Sequence, residues 1–235
     1  MKIIIHVGLH KTGTTFFQNQ IFNKIPNAKL IRRPNFTTPL QKNKMNIISS
    51  EALSGAPYVR SNAKIRFIIA DRLKSCFPDA KIIIGIREKK SWLKSLYSQF
   101  IRNGGIYDFD SWLEKVVDKD YLDQDSYIDY LKSLFRDVYV FRFENFCNTK
   151  KKVVIEMCKL MEIGYIDYRD IKYNTKLSKN RLNIIKYLNR IWISSWNPNG
   201  VLPKKRYFNP EFFGELFDLN RILYEGKDII NKENK

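Results

Sequence analysis

Residues 1–20 read MKIIIHVGLHKTGTTFFQNQ, and this stretch decides the fold. The apolar run from Ile3 to Val7 predicts a buried strand, which leads into a turn bounded by Gly8 and Gly13. A helix is predicted from about Thr14 to Phe22. A strand, a loop of small residues and a helix N-terminus form a cradle for an anion, because the first helical turn has unpaired N–H groups and a favourable dipole.

The loop departs from the nucleotide-binding P-loop at one position. The ATP/GTP pattern is G-x-x-x-x-G-K-[ST], with lysine directly after the second glycine. Gly8 and Gly13 have this spacing, but Thr14 stands at the lysine position and Lys11 lies inside the loop. The sequence therefore predicts binding of a phosphate-like group and argues against ordinary Mg-ATP chemistry. The alternative is a turn that caps a helix without a ligand.

The composition bounds the class of protein. The chain has 235 residues, of which 44% are hydrophobic, and no run approaches the roughly 20 apolar residues of a membrane span. We expect a single domain over residues 1–235, with a mostly helical part from 165 to 235. Three cysteines without a CxxC pair and only two histidines argue against a structural zinc site. They favour reduced thiols in a cytoplasmic protein.

The net charge of +18 indicates an anionic partner, which could be a nucleotide, an acidic glycan, a membrane surface or nucleic acid. An equally good interpretation is compositional drift, because Lys, Asn and Ile are abundant along the whole chain. The basic residues are spread out, so charge alone does not select nucleic acid, and we expect no nucleic-acid partner. Peripheral membrane association stays open.

The rest of the chain alternates strands with helices. This order predicts an α/β fold of three layers, in which a central parallel sheet is flanked by helices. Further strands are predicted at Met45 to Ser49, Lys81 to Ile86 and Val138 to Phe141. Further helices are predicted at Asn62 to Lys74, Ser91 to Ile101, a segment capped by Ser111 and Glu114, Tyr127 to Phe135, a segment closing at Gly164, Arg181 to Ile193, and Pro210 to Tyr224.

Ligands of such sheets bind beyond the carboxyl ends of the strands, where Glu51 and Arg87 fall in addition to the loop. Arg87 and Ser95, eight residues apart, suit a terminal phosphate, and the alternative is a solvated helix face. Glu51 suits proton removal from an acceptor hydroxyl. The alternatives for Glu51 are a helix-cap partner and a surface carboxylate. His10 could contact the acceptor or the anion.

These residues together resemble the sulfotransferases that use 3′-phosphoadenosine 5′-phosphosulfate (PAPS) as donor, including bacterial members and the glycan (heparan-type) branch. The segment KIIIGIREKKSWLKSLYSQF is similar to the 3′-phosphate strand and helix, which implies that Arg87 and Ser95 bind that phosphate. The strand NIISSE matches the place of the catalytic base, here Glu51. The loop HVGLHKTGTT is similar to the 5′-phosphosulfate loop, which implies donor contacts from Lys11, Thr12, Gly13, Thr14 and Thr15.

The C-terminal part carries a weaker likeness. PKKRYF and FFGELFDLNRIL resemble the basic donor-covering loop and the final helix of heparan-type sulfotransferases. This likeness implies a loop near residues 197–207, with Lys205 and Arg206 on the donor. The glycine of the usual Lys-Gly-Arg pattern is missing.

The implied reaction is in-line transfer of a sulfuryl group from PAPS to a hydroxyl or amine, which leaves PAP as product and requires no metal. Glu51 is the expected general base, Lys11 faces the leaving 5′-phosphate, and His10 is a further catalytic candidate. The expected acceptor is a saccharide or a glycolipid. Two alternatives remain: an atypical P-loop kinase that uses Mg-ATP, and a non-catalytic protein that binds polyanions through its positive charge.

Overall fold

A parallel β-sheet forms the centre of the structure, a computed structural model that describes residues 1–32, 39–59, 62–171 and 177–202. In these residues five strands lie in the order β2-β3-β1-β4-β5, and every neighbouring pair is parallel. Helices flank the sheet, so the predicted α/β fold class is confirmed. The strands are β1 (Ile3–Val7), β2 (Ala28–Ile31), β3 (Met45–Ser50), β4 (Lys81–Ile86) and β5 (Val138–Arg142).

Eight α-helices occur in the described residues. They are α1 (Thr14–Phe16), α2 (Ile65–Cys76), α3 (Lys89–Arg102), α4 (Phe109–Lys115), α5 (Gln124–Leu134), α6 (Phe143–Asn148), α7 (Lys150–Met161) and α8 (Lys179–Asn189). One turn of π-helix (Phe17–Ile21) and a 3₁₀ turn (Phe22–Lys24) continue α1. Two further 3₁₀ turns cover Glu51–Ser54 and Lys119–Leu122.

The central strand β1 is buried along its whole length, because neighbouring strands pair with both of its edges and side chains cover both of its faces. On one face Ile4 packs with Phe17 and with Val154 and Met157 of α7. Elsewhere in the sheet α5 packs against β5, and α2 packs against α5. This packing fixes the end of β1, from which the glycine-bounded loop starts.

The described residues divide into two compact units. The sheet unit comprises the described parts of residues 1–93 and 113–175, and the helical unit comprises those of residues 94–112 and 176–235. Within the helical unit, the buried amide of Asn189 donates to the carbonyls of Ile101 at 2.7 Å and Gly105 at 2.9 Å. The expectation of one domain over the whole chain stays a prediction.

The structure corrects several of the predicted elements. Strand β2 was missed, because it has only four residues and three of them are half-buried. Asp108, not Ser111, caps α4, since its carboxylate accepts from the backbone N–H of Ser111 at 2.8 Å. The helix predicted to close at Gly164 ends at Met161, where Glu162 adopts the left-handed conformation (φ 53°).

Near the C-terminus, α8 ends at Asn189 and not at Ile193. The backbone of the following residues pairs instead with residues 197 and 202. The helix predicted at Pro210 to Tyr224 lies outside the described residues.

Candidate functional site

The loop of residues 8–13 leaves the sheet at the carboxyl end of its central strand. Val7, the last residue of β1, pairs with Ser50 on β3 and with Ile84 on β4. Glu51 follows β3 directly and Arg87 follows β4 directly. The loop therefore lies between the two residues that the sequence predicted to act with it.

The loop backbone is held in an unusual shape. Lys11 (φ 67°) and Gly13 (φ 94°) both adopt positive φ, which a residue with a side chain rarely does, and Lys11 does so at a cost of about 1 kcal/mol. The buried hydroxyl of Thr12 donates to the carbonyl of Leu9 at 2.7 Å, so this side chain shapes the turn. The carbonyl of Gly13 accepts from the N–H groups of Phe16 and Phe17, which starts the helix. The N–H groups of Thr14 and Thr15, in the first turn, have no acceptor within the helix.

Gly8 allows two functional side chains to approach the end of β1. A Cβ atom at this position would lie 2.4 Å from Thr14 Oγ1 and 3.4 Å from Glu51 Cγ. Thr14 Oγ1 is buried and has no hydrogen bond of good geometry, although the hydroxyl lies close enough to Glu51 to lower the pKa of that carboxyl. The Thr14 hydroxyl and the Glu51 carboxyl group therefore lie next to each other at the end of β1.

Glu51 and His10 form a pair across the loop. Glu51 opens the 3₁₀ turn after β3, and Ser50 caps this turn by accepting from the N–H of Ala52 at 3.2 Å. His10 Nδ1 lies 3.2 Å from Glu51 Oε2, and His10 Nε2 lies 3.2 Å from the carbonyl oxygen of Gly55. Both ring nitrogens of His10 thus face oxygen acceptors.

The charges around Glu51 keep it ionised at neutral pH. Burial pushes the pKa of Glu51 upward, but the hydrogen bond with His10, the electrostatic interactions with His10 and Lys11, and the Thr14 hydroxyl outweigh that effect. The net result is a pKa below the usual value for a glutamate. Glu51 is therefore a half-buried carboxylate that can accept a proton.

Arg87 is fixed on the other side of the loop. Its backbone N–H and C=O groups both bond to the side-chain amide of Gln124 at 2.9 Å, which holds the end of β4. Its guanidinium donates from Nη1 to the carbonyl of Lys11 at 3.0 Å and from Nε to Ser91 Oγ at 3.1 Å, and it lies 4.4 Å from the ring centre of Phe143. Burial lowers the pKa of Arg87 and Glu144 opposes this, but an arginine stays charged in a protein.

Glu144 lies beside this guanidinium. Its Oε1 accepts from the backbone N–H of Glu88 at 3.2 Å and from Ser91 Oγ at 3.4 Å. The residue therefore has a structural role at the start of α3 and also places a negative charge next to Arg87.

Three of the other predicted contacts remain untested by geometry. Ser95 is half-buried on α3, one helical turn beyond Ser91, and it belongs to the helical unit. Lys205 and Arg206 lie outside the described residues. Their roles stay predictions from the family resemblance.

A buried layer behind the loop was missed by the sequence analysis. Ser54 Oγ lies 3.0 Å from the carbonyl of Gly8, 2.8 Å from that of Glu51 and 3.2 Å from the hydroxyl of Tyr121. The indole N–H of Trp92 donates to the carbonyl of His10 at 2.7 Å, and the Trp92 ring stacks on Tyr121. These contacts fix the backbone on which His10 and Glu51 are mounted.

The second histidine belongs to the core. His6 is fully buried, and its Nδ1 lies 2.8 Å from Ser49 Oγ. Burial lowers its pKa to about 4, against the opposing charge of Glu51, so the ring is neutral at physiological pH. His6 thus packs beneath the site without adding charge to it.

Two further features concern only the part of the chain that the structure describes. It contains no group of three or more His, Cys, Asp or Glu side chains placed to share a metal ion. It also contains no helix whose length and apolar character would allow it to span a bilayer.

The fold is similar to that of solved sulfotransferases. The crystal structure of a sulfotransferase from Alicyclobacillus acidocaldarius superposes with a TM-score of 0.55 at 16% sequence identity, over 81% of this chain and 93% of that one. A mouse sulfotransferase in complex with PAP has a TM-score of 0.47 at 14% identity, over 97% of this chain and 88% of that one. No protein-family model and no curated protein sequence matches the chain. At sequence identities this low, the similarity establishes the fold alone.

Proposed function

We propose that this chain is a sulfotransferase that moves a sulfuryl group from PAPS to a hydroxyl or amine. The observation that carries the proposal is the placement of Arg87 and Glu51 on either side of one anion-binding loop. Arg87 bonds to the Lys11 carbonyl at 3.0 Å, and Glu51 pairs with His10 of the same loop at 3.2 Å. The fold similarity to the Alicyclobacillus enzyme supports this interpretation.

The loop has the groups that the 5′-phosphosulfate end of PAPS requires. The first-turn N–H groups of Thr14 and Thr15, the Thr14 hydroxyl and the positive charge of Lys11 all favour an anion. Arg87, whose guanidinium can bind a phosphate through two parallel hydrogen bonds, would hold the 3′-phosphate, and the family resemblance assigns Ser95 to the same phosphate. By the family resemblance, Lys205 and Arg206 would complete the donor site.

When bound, PAPS supplies a sulfuryl group whose bond to the 5′-phosphate oxygen breaks as the acceptor oxygen bonds to sulfur. Glu51 takes the proton that the acceptor loses, and Lys11 neutralises the charge that collects on the departing 5′-phosphate. A sulfuryl group carries one negative charge fewer than a phosphoryl dianion, so side-chain and backbone donors suffice without a metal ion in this scheme.

The contacts of His10 favour Glu51 as the base. His10 Nε2 lies 3.2 Å from the Gly55 carbonyl oxygen and Nδ1 lies 3.2 Å from the Glu51 carboxylate, so both ring nitrogens already face oxygen atoms of the protein. Glu51 is ionised, and its side chain is 36% exposed, which leaves room for an acceptor to approach. In this assignment His10 orients Glu51 and keeps its pKa low.

The acceptor follows from the resemblance to the glycan branch, and we propose a saccharide or a glycolipid. A conservative substitution tests the whole scheme. In Glu51→Gln, turnover should fall about 10²–10⁴-fold because the proton acceptor is lost. The measurement is the release of PAP from PAPS with heparosan oligosaccharides or a galactolipid as acceptor.

The matched control is Glu114→Gln, which alters an exposed glutamate on α4 and should leave turnover unchanged. Affinity for 3′,5′-ADP should not fall in Glu51→Gln or in the control, because Glu51 is assigned to the acceptor and not to the donor. Near-normal turnover of Glu51→Gln would remove the base assignment. Phosphoryl transfer from Mg-ATP without sulfuryl transfer would replace the proposal with a kinase.

A further inference from the structure

Helix α8 presents apolar side chains on two faces. Ile185 is fully buried within the helical unit, whereas Ile184 and Tyr187, three residues apart, are exposed. Tyr187 is 66% exposed, so most of its ring contacts solvent. An amphipathic surface helix normally places polar residues on its outer face, and α8 departs from that pattern at these two positions.

The exposed apolar surface continues past the end of α8. The N–H groups of Val201 and Leu202 donate to the carbonyl of Ile191 at 2.8 and 2.9 Å, and the N–H of Ile193 donates to the carbonyl of Leu202 at 2.9 Å. These bonds place the two short segments side by side, one turn beyond Tyr187. Val201 is 82% exposed. We call the combined surface the apolar face; it consists of Ile184, Tyr187, Ile191, Ile193, Val201 and Leu202.

The apolar face is carried on a fixed support. The side-chain amide of Asn197 donates to the carbonyls of Asn189, Arg190 and Trp192 at 3.0 to 3.1 Å. Scattered exposed apolar residues are ordinary on a protein surface, but a contiguous group on a rigid support marks an interaction site.

The charge around the apolar face identifies the partner. The described part of the helical unit contains six basic residues and two acidic residues, Asp108 and Asp110. Four of the basic residues, Lys179, Arg181, Lys186 and Arg190, lie within residues 177–202, where no acidic residue occurs, and Asp108 interacts with Lys186. A polyanion alone would leave the apolar side chains in water, and a second copy of the chain would bring like charges together. An anionic lipid surface suits both the basic and the apolar side chains. Its headgroups attract Lys and Arg, and its interfacial region accepts Tyr and aliphatic side chains.

We propose that the apolar face of the helical unit docks this protein on anionic membranes as a peripheral protein. The side chains of the apolar face enter the boundary between the lipid headgroups and the acyl chains. Lys179 and Arg190, which are both exposed, contact lipid phosphates. The proposal does not rest on the sulfotransferase assignment, and its test involves no enzyme activity.

The test is sedimentation of the full chain with vesicles of phosphatidylcholine alone or with 30% phosphatidylglycerol. The chain should bind the vesicles that contain phosphatidylglycerol, and more weakly as salt rises. Tyr187→Ser combined with Val201→Ser should lower the partition coefficient about tenfold or more, because both apolar side chains are lost from the interface. The matched control is Ile65→Ser with Ile68→Ser, which removes two exposed apolar residues from α2 in the sheet unit.

A charge variant gives a second, independent readout. Lys179→Gln with Arg190→Gln should also lower binding about tenfold, whereas Lys132→Gln with Arg136→Gln, at exposed positions in the sheet unit, should lower it less. The proposal is overturned if the wild-type chain does not bind phosphatidylglycerol vesicles, or if the Tyr187 and Val201 variant binds like wild type. Retention on heparin without vesicle binding would indicate a polyanion site instead. Loss of a dimer in that variant, with unchanged vesicle binding, would indicate self-association.

Discussion

At the residue scale, the reactivity of the site depends on what surrounds Glu51. Burial alone would raise the pKa of this carboxyl. The group would then stay protonated up to a higher pH, and a protonated carboxyl cannot take a further proton. The hydrogen bond and charge of His10, with the charge of Lys11, reverse that effect. The pair of His10 and Glu51 therefore sets the lower pH limit at which the base is available.

Replacement of His10 should move that limit. In His10→Ala the pKa of Glu51 rises, because its strongest lowering interaction is gone while burial still raises it. Glu51 then becomes protonated at a higher pH, so the acid limb of the kcat/KM profile shifts to higher pH. Rates measured between pH 4 and 8 test this. An acid limb at the same pH in both proteins would mean that Glu51 is not the group that titrates.

Glu144 should weaken anion binding at Arg87. Its carboxylate contacts Ser91, to which Arg87 also bonds, so it offsets part of the positive charge that a phosphate would meet. Glu144→Gln keeps an oxygen acceptor for the N–H of Glu88 but removes the charge. We expect 3′,5′-ADP to bind about threefold to tenfold more tightly, with a smaller change for AMP.

Isothermal titration calorimetry measures both affinities. Glu114→Gln again serves as the control for the loss of one negative charge. Unchanged or weaker binding of 3′,5′-ADP to Glu144→Gln would show that Glu144 acts only as a helix-start residue.

Individual site residues differed in how well the sequence indicated them. Lys11, Thr14, Glu51 and Arg87 were identified because each directly follows a predicted strand, lies in the glycine-bounded loop or directly follows that loop. Gln124 was not, because a glutamine that binds the backbone of Arg87 from a distant helix leaves no local pattern. The same holds for Ser54 and Tyr121, whose roles arise only when the chain folds.

At the element scale, the 3₁₀ turn Lys119–Leu122 is held by one buried arginine of α2. Arg66 donates to the carbonyls of Asp120, Tyr121 and Asp123 at 2.8 to 3.1 Å, and its guanidinium lies 4.8 Å from the ring centre of Tyr127. Only 1% of Arg66 is exposed. Because Tyr121 in turn contacts Ser54, this turn supports the backbone of Glu51.

Loss of that arginine should therefore destabilise the protein. Arg66→Met leaves three carbonyl oxygens without their donor, and we expect the free energy of unfolding to fall by about 3 kcal/mol or more. The control, Arg72→Met, changes an exposed arginine of the same helix and should cost less than about 0.5 kcal/mol. Urea unfolding followed by circular dichroism measures both, and equal stability of the two variants would contradict the role assigned to Arg66.

Elements with a continuous apolar run were predicted well. Strands β1, β3 and β4 are buried on both faces, and this burial demands the Ile and Val runs that the sequence displays. Strand β2 lies at the edge of the sheet and has only one buried residue, so its pattern was too weak. The observed helix ends differ from the predicted ends by a few residues. A capping side chain such as Asp108 fixes where a helix begins, and the pattern of apolar residues does not show that position.

At the scale of the whole molecule, the alternation of strands and helices was enough to predict the parallel sheet. Parallel strands need crossover connections, and their shared direction brings the ends of β1, β3 and β4 to one edge. The sequence could not indicate the division into two units or the exposed apolar face of the second. Both depend on which apolar residues find partners after folding.

The most direct test of the account is whether one nucleotide with two phosphates occupies the loop and Arg87 together. Calorimetry with 3′,5′-ADP, AMP and ATP, with and without Mg²⁺, should give binding of the bisphosphate at least about tenfold tighter than AMP and independent of Mg²⁺. Arg87→Met should abolish that preference, and Lys11→Met should weaken both 3′,5′-ADP and AMP. Equal affinity for 3′,5′-ADP and AMP, or Mg²⁺-dependent binding that favours ATP, would contradict the account.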